Sequence, residues 1–116
     1  MKIFHIVGRE EWLNAKKKGS YHPESLEKEG FIHCSKADQL LGVANSFYKG
    51  IDHLIILRID TSLIKIEIKM EPPLEAPMSS ILFPHLYGEL NLDCVEKEIE
   101  FPHSEDGSFK LPENLL

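Results

Sequence analysis

The sequence predicts an α+β domain, with two early helices packed on a mixed or mostly antiparallel sheet. Three observations predict it. Strand-like and helix-like segments alternate only in the first half, in the order strand, helix, strand, helix, then strands alone. Ile64, Ile66, Ile68 and Met70 alternate with Lys65, Glu67 and Lys69, the two-residue period of a strand with one wet face. The 116 residues make a single domain, 1–116, long enough to bury one core without staples.

Each element has its own local cause. Lys2 to Val7 is apolar almost throughout, as in a strand covered on both faces, and His5 interrupts it. Arg9 to about Lys18 holds good helix formers, with Trp12, Leu13 and Ala15 making a partial apolar side and Gly19 a natural stop. Gly19 to Gly30 carries Pro23, serines and charges, which predicts an exposed connection with at most one short helical turn, placed to cover a pocket. Ser35 is the expected cap of a second helix running to Tyr48, with Asp38 as the acidic partner and Leu40, Leu41, Ala44, Phe47 and Tyr48 on the apolar side. Leu54 to Ile59 is a strand, Pro72, Pro73 and Pro77 break the chain, and Val95, Ile99 and Phe101 mark a last long strand.

Two segments share a polarity pattern and put a histidine where a core strand would have valine: GFIHCS, Gly30 to Ser35, and FPHLYG, Phe83 to Gly88. At strand period Phe31, His33 and Ser35 share one face, as do Phe83, His85 and Tyr87. Each stripe is therefore aromatic, imidazole, hydroxyl. A pocket that stacks a flat ligand and bonds its edge uses every member, whereas a core must find partners for buried imidazoles and hydroxyls. Pro84 predicts an edge position or a strand entry for the second stripe, and Gly88 a turn or a close ligand approach. Tyr87 and Phe83 also suit simple packing, and Ser35 suits a helix cap.

His5 lies on the strand face of Ile3 and Val7 and is expected to be buried. Glu71 is the carboxylate nearest Pro72, but alternation groups it with Lys65, Glu67 and Lys69 on the wet face unless a bend redirects it. Glu96, Glu98 and Glu100 alternate with the apolar side of their strand and form a solvated face. His22, His53 and His103 sit in loop-like settings at the surface. His5, His33 and His85 would be enough ligands for a catalytic zinc, but no HxH or HxxxH spacing places two of them on one element, so no metal is expected.

Composition narrows the function classes. A net charge of −6 argues against nucleic acid as the partner, since that binding needs clustered Lys and Arg. The one basic cluster, Lys16 to Lys18, sits where cations complement a helix C-terminus. Cys34 and Cys94 form no CxxC or zinc spacing. The opening apolar run is too short for a signal peptide and no stretch approaches a membrane span, so a cytoplasmic protein without a membrane partner is expected.

The chain resembles the uncharacterised bacterial proteins grouped as domain of unknown function 952. The resemblance rests on FHIV at Phe4 to Val7, GFIHCS, the Gln39 to Tyr48 stretch ending in SFYKG, Glu71 before a proline, FPHLYG, and GSFKLP at Gly107 to Pro112. That family is similar in fold to ADP-ribosyltransferases and RNA 2'-phosphotransferases, which bind NAD in a cleft between two small sheets. The resemblance implies a small nucleotide ligand, with NAD as candidate substrate. It also implies His5 at the adenosine-side ribose, His33 with Ser35 near nicotinamide, His85 or Glu71 at the nicotinamide ribose, and Phe31 and Tyr87 in support. Two rival classes use the same residues: a non-catalytic nucleotide-binding module, and a metal-dependent hydrolase with a three-histidine site.

Overall fold

The computed structural model describes residues 1–116. The elements are β1 (Lys2–Gly8), α1 (Arg9–Lys18), β2 (Ser20–Tyr21), α2 (Glu24–Glu29), β3 (Ile32–His33), α3 (Ala37–Phe47), β4 (Leu54–Asp60), β5 (Glu67–Glu71), β6 (Phe83–Tyr87), β7 (Leu90–Asn91) and β8 (Val95–Glu100). Helix α1 has Glu10 and Glu11 in its first turn, Lys16 to Lys18 in its last, and Gly19 in the left-handed conformation as its stop, so charge and backbone agree on both ends.

All strand pairs are antiparallel. They form two three-stranded sheets, β1-β4-β8 and β3-β6-β5, and a two-stranded ribbon, β2-β7. The first sheet is buried on both faces, which is why β1 and β4 read as continuous apolar runs. Ile3, Val7, Ile55, Leu57 and Ile59 pack with Trp12, Ile32 and Leu86 between the two large sheets. Phe4, Ile6, Leu54, Ile56 and Ile99 pack with Leu40, Ala44, Phe101 and Phe109 under α3. The sheets are stitched at one seam, where Phe4 and Ser35 exchange backbone hydrogen bonds of 2.8 Å in each direction.

Several expectations change. There are three α-helices rather than two, because the Gly19 to Gly30 connection holds the six-residue α2. Ser35 does not cap α3: its backbone is taken by the seam, the cap position falls to Lys36, and Gln39 rather than Asp38 closes the turn by accepting the Lys36 N–H at 2.9 Å. Phe47, expected on the packed side of α3, is 60% exposed. The alternating run becomes regular strand only from Glu67, since Thr61–Leu63 form a 3-10 turn. β6 is the central strand of its sheet, so of the two readings of Pro84 the edge fails and the strand entry holds, one residue after the start at Phe83. It tolerates Pro84 because a residue's N and C=O point to the same neighbour: the Pro84 carbonyl accepts from Cys34 at 3.0 Å, so the missing donor falls at the last rung of short β3. Gly88, at φ 152°, answers to Ile66, whose Cγ2 would lie 2.8 Å from an added Cβ.

Glu96, Glu98 and Glu100 are the solvated face expected of them, paired with Lys2 and Arg58, with Lys16, and with Arg9 respectively. One core residue carries a defect: Trp12 is 2% exposed and its indole Nε1 is the single buried side-chain polar atom without a partner. An orphaned buried donor costs about 1–3 kcal/mol, comparable to what a smaller ring loses in packing. Trp12→Phe is therefore expected to leave unfolding free energy within about 1 kcal/mol of wild type in urea titrations followed by circular dichroism.

Candidate functional site

The seam between the large sheets opens into a cavity of about 330 Å³, near the small end of ligand-binding cavities. Phe4 and Ile6 of β1 form its floor, Val43, Phe47 and Tyr48 come from the end of α3, and Pro73, Leu74 and Glu75 from the segment after β5. His33, Ser35, Phe83 and His85 contribute the polar and aromatic wall, with Glu29 at the end of α2. Phe47 is exposed because it stands at this cavity rather than on the core.

The pairing of β3 with β6 sets His33 directly opposite His85, and β5 sets Glu71 opposite Phe83. One face of this sheet, carrying Ile32, Leu86 and Ile68, enters the core. The other carries His33, His85, Tyr87 and Glu71. Glu71 is thus on the wet face that alternation assigns it, and that face also carries His33 and His85, which line the cavity; no bend before Pro72 is needed.

His85 is only 2% exposed. Phe31 lies on its ring at a centroid distance of 4.0 Å and an interplanar angle of 19°, and Glu71 Oε1 holds its Nδ1 at 2.9 Å. The same oxygen accepts the Tyr87 hydroxyl at 2.5 Å. These two donors, Tyr87 first and His85 second, hold the Glu71 carboxyl below the usual range, and the shared proton pushes the Tyr87 phenol up to about 12. A carboxylate only accepts, so Nδ1 of His85 carries the hydrogen and Nε2 is the nitrogen left for a further partner. Nε2 makes no hydrogen bond within the protein and is not among the fully buried orphans, which leaves it facing the cavity that His85 lines. Carboxylate, oriented imidazole and unbonded nitrogen are the parts that general-base chemistry draws on.

His33 is the exposed partner, with 47% of its side chain open, and its Nε2 bonds Glu29 at 2.9 Å. Its ring stands 5.5 Å from His85 and 4.7 Å from Phe31. Ser35 is buried at the seam and lines the cavity.

His5 sits apart from the cavity, 7% exposed, with both nitrogens occupied. Nδ1 lies 2.6 Å from the His33 carbonyl, which can only accept, so Nδ1 donates; Nε2, 2.7 Å from the Tyr21 hydroxyl, then accepts. Burial lowers its pKa to about 4, consistent with a neutral ring. The place of His5 is to anchor the His33 backbone through a chain that continues to Tyr21 and edge-on to Trp12. Phe31, Tyr87 and Glu71 likewise do not line the cavity but support His85. His5, His33 and His85 do not converge, and no three His, Cys, Asp or Glu side chains stand where they could share a metal ion.

Sequence reasoning did not find Glu29, Glu75 or Tyr21. Glu29 had one available signal, its place just before the Gly30 helix stop and four residues from His33. Glu75 and Tyr21 carry none, because their roles exist only after long-range pairing. His22, His53 and His103 are indeed away from the cavity, with His22 on Glu27 and Glu89 and His103 on Asp52. No helix is long and apolar enough to cross a membrane.

The chain belongs to the family described as "Protein of unknown function (DUF952)", whose model matches residues 6–98 and so includes both histidine motifs and Glu71. Two crystal structures of protein CC0527 from Caulobacter crescentus, one of them a double mutant, are similar to it at 28% identity and a TM-score of 0.85, covering 99% of this chain and 98% of theirs. A solution NMR structure of CC0527 matches at 29% identity and a TM-score of 0.76, over 92% of this chain and 90% of that one. No curated protein matches the chain.

Proposed function

We propose that this protein binds NAD or a related ADP-ribosyl compound at the seam cavity and that His85 is the general base of a transfer or cleavage of ADP-ribose. The observation that carries the reading is the Glu71–His85 hydrogen bond, which fixes the tautomer with Nε2 free beside an aromatic-walled cavity. The resemblance to ADP-ribosyltransferases supplies the ligand class. In this reading the bond from nicotinamide nitrogen to the ribose breaks with its electron pair leaving on nicotinamide, an acceptor oxygen bonds the ribose carbon, and the acceptor's proton passes to His85 Nε2. Glu71 positions His85 and does not touch the sugar. His33 and Ser35 bond the ligand edge, and Phe83, Phe47 and Tyr48 give it faces to pack on.

Ligand-observed NMR with NAD, ADP-ribose and nicotinamide tests it, using wild type and folded His33→Ala and His85→Ala variants. Saturable NAD binding, weakened at least about tenfold in both variants, with nicotinamide accumulating over hours in wild type only, is the expected result. Binding without nicotinamide release would make the chain a non-catalytic module. Folded wild type that binds none of the three would remove the NAD reading.

A further inference from the structure

We propose that the cavity selects a flat organic cation, of the N-alkylated aromatic ring type, and leaves any phosphate of its ligand outside. This rests on the reading above and narrows it to one charge type.

The wall chemistry is one-sided. Among the residues lining the cavity the ionisable groups are Glu29, Glu75, His33, His85, Tyr48 and Cys34, with no lysine or arginine. Burial keeps the Cys34 thiol protonated by pushing its pKa far up. Phosphate recognition draws on guanidinium forks, ammonium groups or a helix N-terminus. Here α3 meets the cavity through Val43, Phe47 and Tyr48, the residues of its C-terminal end, where the helix dipole is negative. At the opposite end of the helix the Lys36 N–H is already used by Gln39, and Asp38 stands in the first turn. A phosphate inside would face carboxylates and no cation.

A flat cation meets the opposite situation. Glu29 and Glu75 supply negative charge, and the rings of Phe47, Tyr48 and Phe83 offer electron-rich faces of the kind that attract delocalised cations. Independent of the carboxylates, His85 is almost wholly buried yet keeps Nε2 unbonded toward the same space, which calls for a ligand donor such as a carboxamide N–H or a hydroxyl. The size agrees, since about 330 Å³ suits one ring with a sugar better than a whole dinucleotide.

The test is calorimetric titration of the full chain with four probes: 1-methylnicotinamide, nicotinamide riboside, its neutral 1,4-dihydro form, and nicotinamide mononucleotide. The riboside cation is expected to bind at least about tenfold more tightly than its neutral dihydro form, and the added 5'-phosphate to give no gain. In a Glu29→Gln/Glu75→Gln double variant the ratio should fall toward one while the affinity of the neutral form stays. Equal or tighter binding of the neutral form, or tightening by the phosphate, would overturn the charge rule and leave the NAD reading standing. Binding of 1-methylnicotinamide alone would remove the nucleotide reading and keep the charge rule, and no binding of any probe would remove both.

Discussion

Acidification from pH 6.5 to pH 4 is expected to take about 3 kcal/mol from the stability of this fold through His5 alone. The histidine pKa falls from 6.5 to about 4 on folding, burial being the largest cause, and each pKa unit is worth about 1.4 kcal/mol. The unfolded chain takes up a proton as pH drops through 6.5, while the folded chain refuses it until about 4. Stability is therefore full above the unfolded value and is lost progressively across that window. The physical obstacle is burial: the His33 carbonyl takes the Nδ1 hydrogen in either state and favours the charged ring, so the cost lies in desolvation and in turning the Tyr21 hydroxyl from donor to acceptor at Nε2. For a domain whose total stability is on the order of 5–15 kcal/mol this is a large share. His22, held by Glu89 and Glu27, and His103, held by the Ser104 carbonyl and Asp52, have raised values and act in the opposite sense, stabilising the fold below 6.5, but both sit at the surface with exposed carboxylate partners and are weak. Urea titrations from pH 7.5 to 4 on wild type and on His5→Asn/Tyr21→Phe isolate the term. Asparagine keeps the donor to the His33 carbonyl, and phenylalanine removes the hydroxyl that would lose its acceptor. The variant should show a much flatter acid limb, and an unchanged limb would show that His5 is not the group responsible.

His5 holds the backbone of His33, so the group that makes the fold acid-sensitive is also part of the frame of the cavity wall. The strand that carries His33 has only two residues and is fixed by β6 on one side and by the His5 contact and the Phe4–Ser35 seam on the other. His5, which the strand period places among buried residues, is in this way the support of a histidine that meets the cavity.

Elements whose cause is local were legible in the sequence. α1 is bounded by Arg9 and Lys18 as expected, because acidic first turn, basic last turn and Gly19 all lie within a dozen residues. The apolar runs of β1 and β4 announced a sheet covered on both faces. What failed needed long-range knowledge. Ser35 has the chemistry of a cap, but its backbone is claimed by Phe4, thirty-one residues away in the sequence. Pro84 argues for an edge or a strand entry, and only the short partner β3, ending beside it, decides between them. Glu71 was assigned the right face, yet only the β5–β6 register reveals that the wet face of one strand is the histidine face of the next. The two stripes were visible as patterns, but Phe31 and Tyr87 support His85 rather than meet the cavity. Nothing local distinguishes those two uses of an aromatic side chain.

Removal of one nitrogen from His85 should separate chemistry from architecture. In His85→Asn the amide nitrogen takes the place of Nδ1 and still donates to Glu71, while nothing takes the place of Nε2. The lost ring atoms and the contact with Phe31 cost about 1 kcal/mol of stability. A missing general base costs about 10²–10⁴ in turnover. Glu71→Gln tests the positioning role separately: both donors bond the same oxygen, Oε1, and glutamine keeps an oxygen there, so the geometry survives while charge assistance is lost. Its expected loss is about 10- to 100-fold in kcat with KM nearly unchanged, as for other second-tier partners of a working histidine. Tyr87→Phe, which leaves the His85 bond in place, should lose less than either. The order His85→Asn, Glu71→Gln, Tyr87→Phe in nicotinamide release, with all three unfolding within about 2 kcal/mol of wild type, is the signature of a base held by a carboxylate. A His85→Asn protein with full turnover would take His85 out of the chemistry. If all three lost activity only in proportion to stability, Glu71, His85 and Tyr87 would be a structural network beneath a site whose base lies elsewhere on the cavity wall, with Glu29, Glu75 and His33 the groups left to test.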